Sequence, residues 1–339
     1  MAGQHSTDIA IIGAGPVGLF AVFEAGMLGL RCHVIDALDA LGGQCAALYP
    51  EKPIYDIPGY PEIGAESLVE RLAEQAAPFA PVYHLGEQVV ALEEVAGKRW
   101  CARTSAGTAI DAKAVVIAAG GGSFAPNRPP LHGLSAYEGK SVFYAVTRRQ
   151  DFAGKRLVIA GGGDSALDWA LALAEVAGHI ALVHRREKFR GAPESVARLK
   201  ALAQRGRIEL VVPCQLAALE GEDGRLSAVL VKTLKGEERR LPADALLLFY
   251  GLAMELGPLA RWGFALERDQ IVVEPSTCAT NRPGIFAIGD IAAYPGKLKL
   301  ILSGFAEAAL AAHAIYPLVH PDKPLHFEYS TIKGLPERG

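Results

Sequence analysis

Two stretches of this chain repeat one plan, and that plan restricts the architecture more than anything else in the sequence. In the first, the β-branched run Asp8-Ile9-Ala10-Ile11-Ile12 leads into Gly13-Ala14-Gly15-Pro16-Val17-Gly18, an Ala- and Leu-rich helix to about Leu28, and a second strand from Cys32 to Asp36. In the second, Arg156-Leu157-Val158-Ile159-Ala160 leads into Gly161-Gly162-Gly163-Asp164-Ser165-Ala166, a helix to about Val176, and a strand from His179 to His184. Each is a βαβ unit opened by G-x-G-x-x-G, with Ala166 in the third glycine slot of the second copy. The first glycine makes the tight turn, and the second lets backbone approach a pyrophosphate. The third lets helix and strand pack closely, and the phosphate is held at the helix N-terminus. One copy also arises from packing alone; two copies, each between a strand and a helix, point to two dinucleotide sites.

The segments around these units assign a doubly wound α/β architecture of two Rossmann-like domains, each a three-layer ββα arrangement. Between the units lie a helical stretch, Ala65 to Ala76, and strand-like stretches at Val89 to Glu94, Arg99 to Thr104, Thr108 to Asp111 and Ala114 to Gly120. After the second unit come a helix at Pro193 to Gln204, short strands through Leu248, the run Gly284 to Asp290, and a last helix from about Ser303 to Tyr316. The second unit thus reads as an insertion. One nucleotide domain is expected over residues 1–123 and 252–316, the inserted one over 124–251, and an extended arm over 317–339. A length of 339 residues accommodates two domains, and 50% hydrophobic with 21% charged residues excludes a disordered chain.

A formal net charge of −3 with scattered Lys and Arg carries no footprint for nucleic acid or a membrane surface. The most apolar interior run, Ala245 to Met254, falls short of the ~18 to 20 residues needed to cross a bilayer, so no transmembrane helix is expected. The start of the chain lacks the basic and apolar pattern of a secretory signal, and a cytoplasmic location follows. Cys32, Cys45, Cys101, Cys214 and Cys278 are far apart, without C-x-x-C or metal-ligand spacing. They read as small buried hydrophobes of a reduced compartment, and no metal site is expected.

The residue ending the second strand of each unit meets the adenosine ribose, so its charge discriminates between cofactors. Asp36 can accept hydrogen bonds from ribose hydroxyls and would repel a 2′-phosphate. In the second unit the equivalent place is His184-Arg185-Arg186, with Arg190 close behind. Guanidinium groups suit a phosphate dianion, which predicts NADPH there. The first site is then read as that of a flavin, FAD. Gly42-Gly43-Gln44 would run beside it and Asp290 would bind ribityl hydroxyls. The helix opening near Ser303-Gly304-Phe305-Ala306 would point its positive end at the flavin.

The order GAGPVG, GGQ, GGGDSA, HRRxxFR and FAIGD is similar to the thioredoxin-reductase class of two-domain flavoproteins. More narrowly, Ala47 to Gly59, Gly161 to Ala170, the Pro-Gly-Lys ending at Lys297 and the tail Tyr329-Ser330-Thr331 resemble the ferredoxin--NADP reductases of thioredoxin-reductase type. The resemblance spans residues 7 to 331. It implies electron transfer between NADPH and a ferredoxin or flavodoxin, and a homodimer. Tyr49 and Tyr329 would then hold the two faces of the flavin ring; because an extended arm that leaves its own globule often packs on a neighbour, Tyr329 is expected on the flavin of the partner subunit.

Disulfide reductases of this fold need a dithiol beside the flavin. The thioredoxin-reductase pair would fall on Tyr144-Ala145-Val146-Thr147, and a C-x4-C starting at Cys45 would end on Pro50. Both thiol routes are missing, so electrons must leave the flavin directly. The alternatives are an NADPH diaphorase or quinone-type reductase, and a nucleotide-bound redox sensor. An acidic ferredoxin calls for a basic docking face, with Lys297, Lys299, Arg148 and Arg149 as candidates.

Overall fold

The computed structural model describes residues 3–97, 99–326, 331 and 334–335. The chain forms two compact units, Met1–Phe124 with Met254–Gly339, and Ala125–Ala253.

In the first unit the strands Val82–Leu85, Cys32–Asp36, Gln4–Ile12 and Ala109–Ile117 lie side by side and parallel, with Ile285–Ala287 also parallel to the last of these. An antiparallel meander, Arg99–Thr104 and Val89–Val95, continues the sheet. Period-two alternation divides the first strand between two cores. Ile9 and Ile11 face helices Pro16–Met27 and Ile301–Val319, while Ala10 and Ile12 face a second layer holding Trp100, Leu259 and Ile271. Both faces are therefore buried where the strands cross the core, which explains the continuous apolar runs Ile9–Ile12 and Ala114–Ile117.

Two expectations need correction here. The stretches Thr108 to Asp111 and Ala114 to Gly120 form one strand, Ala109–Ile117, paired with the first strand along its whole length. Asp111 and Lys113 interrupt the apolar run because they fall on the half-exposed positions of its first half. There the Lys113 ammonium meets the Asp8 carboxylate at 3.2 Å. The last helix runs from Ile301 to Val319, through Pro317, because Val319 is buried in the core beyond the proline. By length and composition alone it is long and apolar enough to cross a membrane, unlike the shorter run Ala245 to Met254. Its Gly304, Glu307, Ala308, Ala311 and Ile315 side is buried in the first unit's core.

In the second unit five parallel strands run in the order Val142–Phe143, Ala245–Phe249, Arg156–Gly161, His179–Val183 and Ile208–Val211. Helices Asp164–Leu173 and Pro193–Gln204 accompany this sheet. Its Val158, Ala160 and Val183 share a core with Val229, Val231 and Leu241 of an antiparallel three-stranded sheet, Cys214–Glu222, Arg225–Thr233 and Glu238–Pro242. The second unit is thus sheet on sheet.

Candidate functional site

The first glycine turn opens a cavity of about 380 Å³ within the first unit. Gly13 and Gly18 shape it by close approach: a Cβ on Gly13 would lie 2.3 Å from the Ala118 carbonyl oxygen, and one on Gly18 2.0 Å from that of Gly13. Gly15, by contrast, has open space where a Cβ would be, and it caps the helix begun by Pro16. A pyrophosphate can therefore reach the backbone at Gly15, with the helix dipole behind it.

Asp36 stands at the rim of this turn. Its carboxylate accepts the Ala14 N–H at 2.6 Å and the Leu38 N–H at 2.9 Å. Burial pushes the carboxyl pKa up while these two amides pull it down. The Gly42-Gly43-Gln44 turn is tied to the same place, since Gly42 N donates to the Ala14 carbonyl at 2.9 Å, and Gly43 and Gln44 line the cavity with Pro16.

Tyr49, which ends the short helix Gly43–Leu48, and Asp290, on the 3-10 turn Gly289–Ile291, also line the cavity. The Cys45 thiol donates to the Tyr49 hydroxyl at 3.7 Å, and burial raises the pKa of both groups. Cys45 is therefore a protonated thiol at neutral pH, unsuited to nucleophilic exchange. The last helix starts two residues earlier than the sequence suggests, so Ile301 rather than Ser303, Gly304, Phe305 or Ala306 reaches the cavity wall. Gly304 instead packs against Val17, Phe305 against Phe20 at 4.7 Å between ring centroids, and Ala306 is exposed.

In the second unit Gly163, Asp164 and Ser165 are exposed at the start of helix Asp164–Leu173, and Ala166 is buried beneath them. A Cβ on Gly161 would lie 2.6 Å from the Phe249 carbonyl oxygen, which is the close packing the motif requires. Asp164 has a structural task as well, accepting the Ala192 N–H at 2.9 Å just ahead of helix Pro193–Gln204. His184 is 8% exposed, stacks on Phe189, and leaves Nε2 without a hydrogen-bond partner. Gly162 is fitted to it, because a Cβ there would come within 2.3 Å of the ring. Burial first, then the charges of Arg190, Arg185 and Arg186, hold the imidazole pKa down. All three arginines are exposed, and Arg190 N donates to the Gly162 carbonyl at 2.7 Å. An orphaned ring nitrogen and three guanidinium groups around a glycine turn fit a phosphorylated nucleotide.

Residues 7–314 match the pyridine nucleotide-disulphide oxidoreductase family. A "Ferredoxin--NADP reductase" of Paramagnetospirillum magneticum is 63% identical, covering 98% of this chain and 99% of its own. One of Rhodospirillum rubrum is 60% identical, covering 97% and 96%. The chain belongs to the ferredoxin--NADP reductases. Among solved structures, the thioredoxin reductase of T. acidophilum superposes with a TM-score of 0.77 at 25% identity, covering 92% of this chain and 98% of its own. That of Lactococcus lactis gives 0.76 at 24% identity, covering 93% and 99%, a likeness of fold.

All five cysteines are free. Tyr144, where the resemblance would put a redox cysteine, donates its hydroxyl to Glu138. Several wall residues escaped the sequence reading: Glu87, Gln88 and Val89, the Ala118-Ala119-Gly120 strand end, and Leu256 to Trp262. The Ala-Ala-Gly after an apolar strand was a usable signal; Leu256 to Trp262, more than a hundred residues on, carried none. Lys297 is not a docking cation: its side chain is 6% exposed and paired with buried Glu307. Lys299, Arg148 and Arg149 are exposed. Thr331 is exposed too, and Tyr329 and Ser330 lie outside the described residues.

Proposed function

We propose that the first unit binds FAD in its cavity, that the second binds NADPH at its glycine turn, and that the chain passes electrons between NADPH and a ferredoxin or, in its place, a flavodoxin. The observation that carries this reading is the thiol in the cavity wall. Cys45 meets the Tyr49 hydroxyl, and the five cysteines stand far apart in the sequence without C-x-x-C or C-x4-C spacing, so the exchange route of a disulfide reductase lacks its spaced sulfur pair. The names of the relatives, at 63% and 60% identity, support the same partner class.

Bound FAD supplies the conversion between the two-electron hydride of NADPH and the single electrons of an iron-sulfur carrier. The chain's own residues do the placing. Asp36 takes the ribose hydroxyls, the amides at Gly15 and Pro16's helix take the pyrophosphate, and Asp290 takes the ribityl chain. Tyr49 is assigned one face of the ring system. In the second unit Gly163 and Ser165 hold the pyrophosphate, and Arg185, Arg186 and Arg190 hold the 2′-phosphate. Tyr329, with Ser330 and Thr331, is assigned the other flavin face, on the partner subunit of a cytoplasmic homodimer.

The purified chain is expected to be yellow, with one FAD per chain, and to reduce a ferredoxin with NADPH while leaving thioredoxin untouched. FMN in place of FAD, or thioredoxin reduction, would overturn the reading. For the tail, stopped-flow reduction of Tyr329→Ser without oxygen is expected to show a stronger NADPH–flavin charge-transfer band and a changed hydride-transfer rate, with FAD retained. Traces identical to wild type would remove Tyr329 from the flavin.

A further inference from the structure

Three donors from the segment ahead of the last helix converge on one carboxylate of that helix. Glu307 Oε2 accepts the Gly289 N–H at 2.7 Å, and Oε1 accepts the Tyr294 hydroxyl at 2.7 Å and pairs with the Lys297 ammonium. The side chains of Glu307 and Lys297 are 3% and 6% exposed, and the ammonium lies 5.5 Å from the Tyr294 ring centroid. Both oxygens of this carboxylate are thus occupied by donors. Burying such a pair costs desolvation that an apolar pair of the same volume would avoid. Holding a surface loop does not require it.

What the network does hold is two parts of the cavity wall. Gly289 precedes Asp290, and Ile301 begins the helix that carries Glu307. Val17 of the first glycine turn fits against both, with a Cβ on Gly304 falling 2.3 Å and one on Gly289 3.5 Å from its side chain. A slip of helix against turn would therefore move the Asp290 carboxylate and the helix's positive end together.

We propose that Lys297 and Glu307 are positioning residues for the flavin: their buried pair locks the Gly289–Asp290 turn to the last helix and sets the electrostatic field, and hence the reduction potential, at the FAD cavity. This rests on the reading of that cavity as the FAD site. The two charges act in opposite senses on a flavin that gains negative charge on reduction. Removing the ammonium disfavours reduction, and removing the carboxylate favours it.

The test equilibrates the bound flavin of wild type, Lys297→Met, Glu307→Gln and the double variant with a reference dye in the absence of oxygen. At fixed dye potential, Lys297→Met is expected to lower the ratio of reduced to oxidised flavin by roughly three- to tenfold, and Glu307→Gln to raise it by a similar factor. The double variant, with no buried charge, returns to within about twofold of wild type. If one single variant fails to fold, the other is compared with the double variant and must still shift in its stated sense. Equal ratios in all four, or both single variants shifting the same way as a merely loosened structure would, overturn the inference. Wild type without FAD would instead overturn the reading of the cavity, and this inference with it.

Discussion

The two glycine turns share a backbone plan and differ in what stands at the end of the following strand. In the first, Asp36 is already held by two backbone amides, over a cavity walled by distant segments of its own unit. In the second, His184 leaves a ring nitrogen unpaired and the three arginines are exposed, as are Gly163, Asp164 and Ser165. A pre-satisfied, enclosed socket suits a resident group, whereas an open turn rimmed by exposed cations suits a nucleotide that comes and goes. On the proposed assignment, the same motif would serve retention in one unit and exchange in the other.

The largest effect that would break this comparison is expected at Asp36. Asp36→Ala leaves the Ala14 and Leu38 amides without their acceptor, at about 1 to 3 kcal/mol each, besides losing the ribose contact. Flavin content after purification, read from absorbance, is expected to fall below one tenth of wild type; full occupancy would show the carboxylate to be a turn brace only. The matched change in the other unit, Gly162→Ala, thrusts a methyl group into the His184 ring. It is expected to leave FAD content intact and raise the KM for NADPH severalfold.

The next effect sharpens the cofactor assignment of the second turn. Charge-assisted phosphate contacts are worth roughly 1.5 to 3 kcal/mol each, so Arg185→Ala and Arg186→Ala should each raise the KM for NADPH about tenfold or more. The KM for NADH should hardly move. Equal losses with both nucleotides would make these arginines structural.

The smallest effect concerns acid stability, and it too separates the units. In the first unit His33 Nδ1 lies 3.0 Å from His84 Nε2, with the His5 ring 5.3 and 5.0 Å from the two rings. Burial first, and then the His84, His5 and Arg31 charges, hold the His33 pKa down at about 4 against 6.5 for a free side chain. The unfolded chain therefore takes up a proton first, so the stability from this site is full above pH 6.5 and is lost as pH falls towards 4. After solvent screening the loss is on the order of 1 kcal/mol, a few degrees of melting temperature. His33→Gln should flatten the melting curve's pH dependence over that window; an unchanged slope would assign acid sensitivity to other groups, His184 of the second unit among them.

Much of the fold was legible because its signals are local. Strands Cys32–Asp36 and Arg99–Thr104 and helices Ala65–Ala76 and Pro193–Gln204 follow from periodicity and turn residues within a few positions. The misread elements are those where burial decided. Asp111 and Lys113 broke an apolar run that pairing with the first strand made continuous, and Val319 drew a helix past Pro317.

At the site, the sequence by itself determined the two strand–glycine–helix turns, the acid at the end of one second strand and the arginines at the other, and the lack of a spaced dithiol. These depend on backbone sterics and on charge at fixed offsets from a turn, which few neighbouring residues control. Tertiary structure alone decided that Leu256 to Trp262 close the cavity, that Cys45 faces Tyr49, and that Lys297 turns inward to Glu307 instead of outward to a partner. Whether a lysine is a docking cation or half of a buried pair depends on whether packing removes it from water beside an opposite charge. That property belongs to the assembled core, not to any window of the chain.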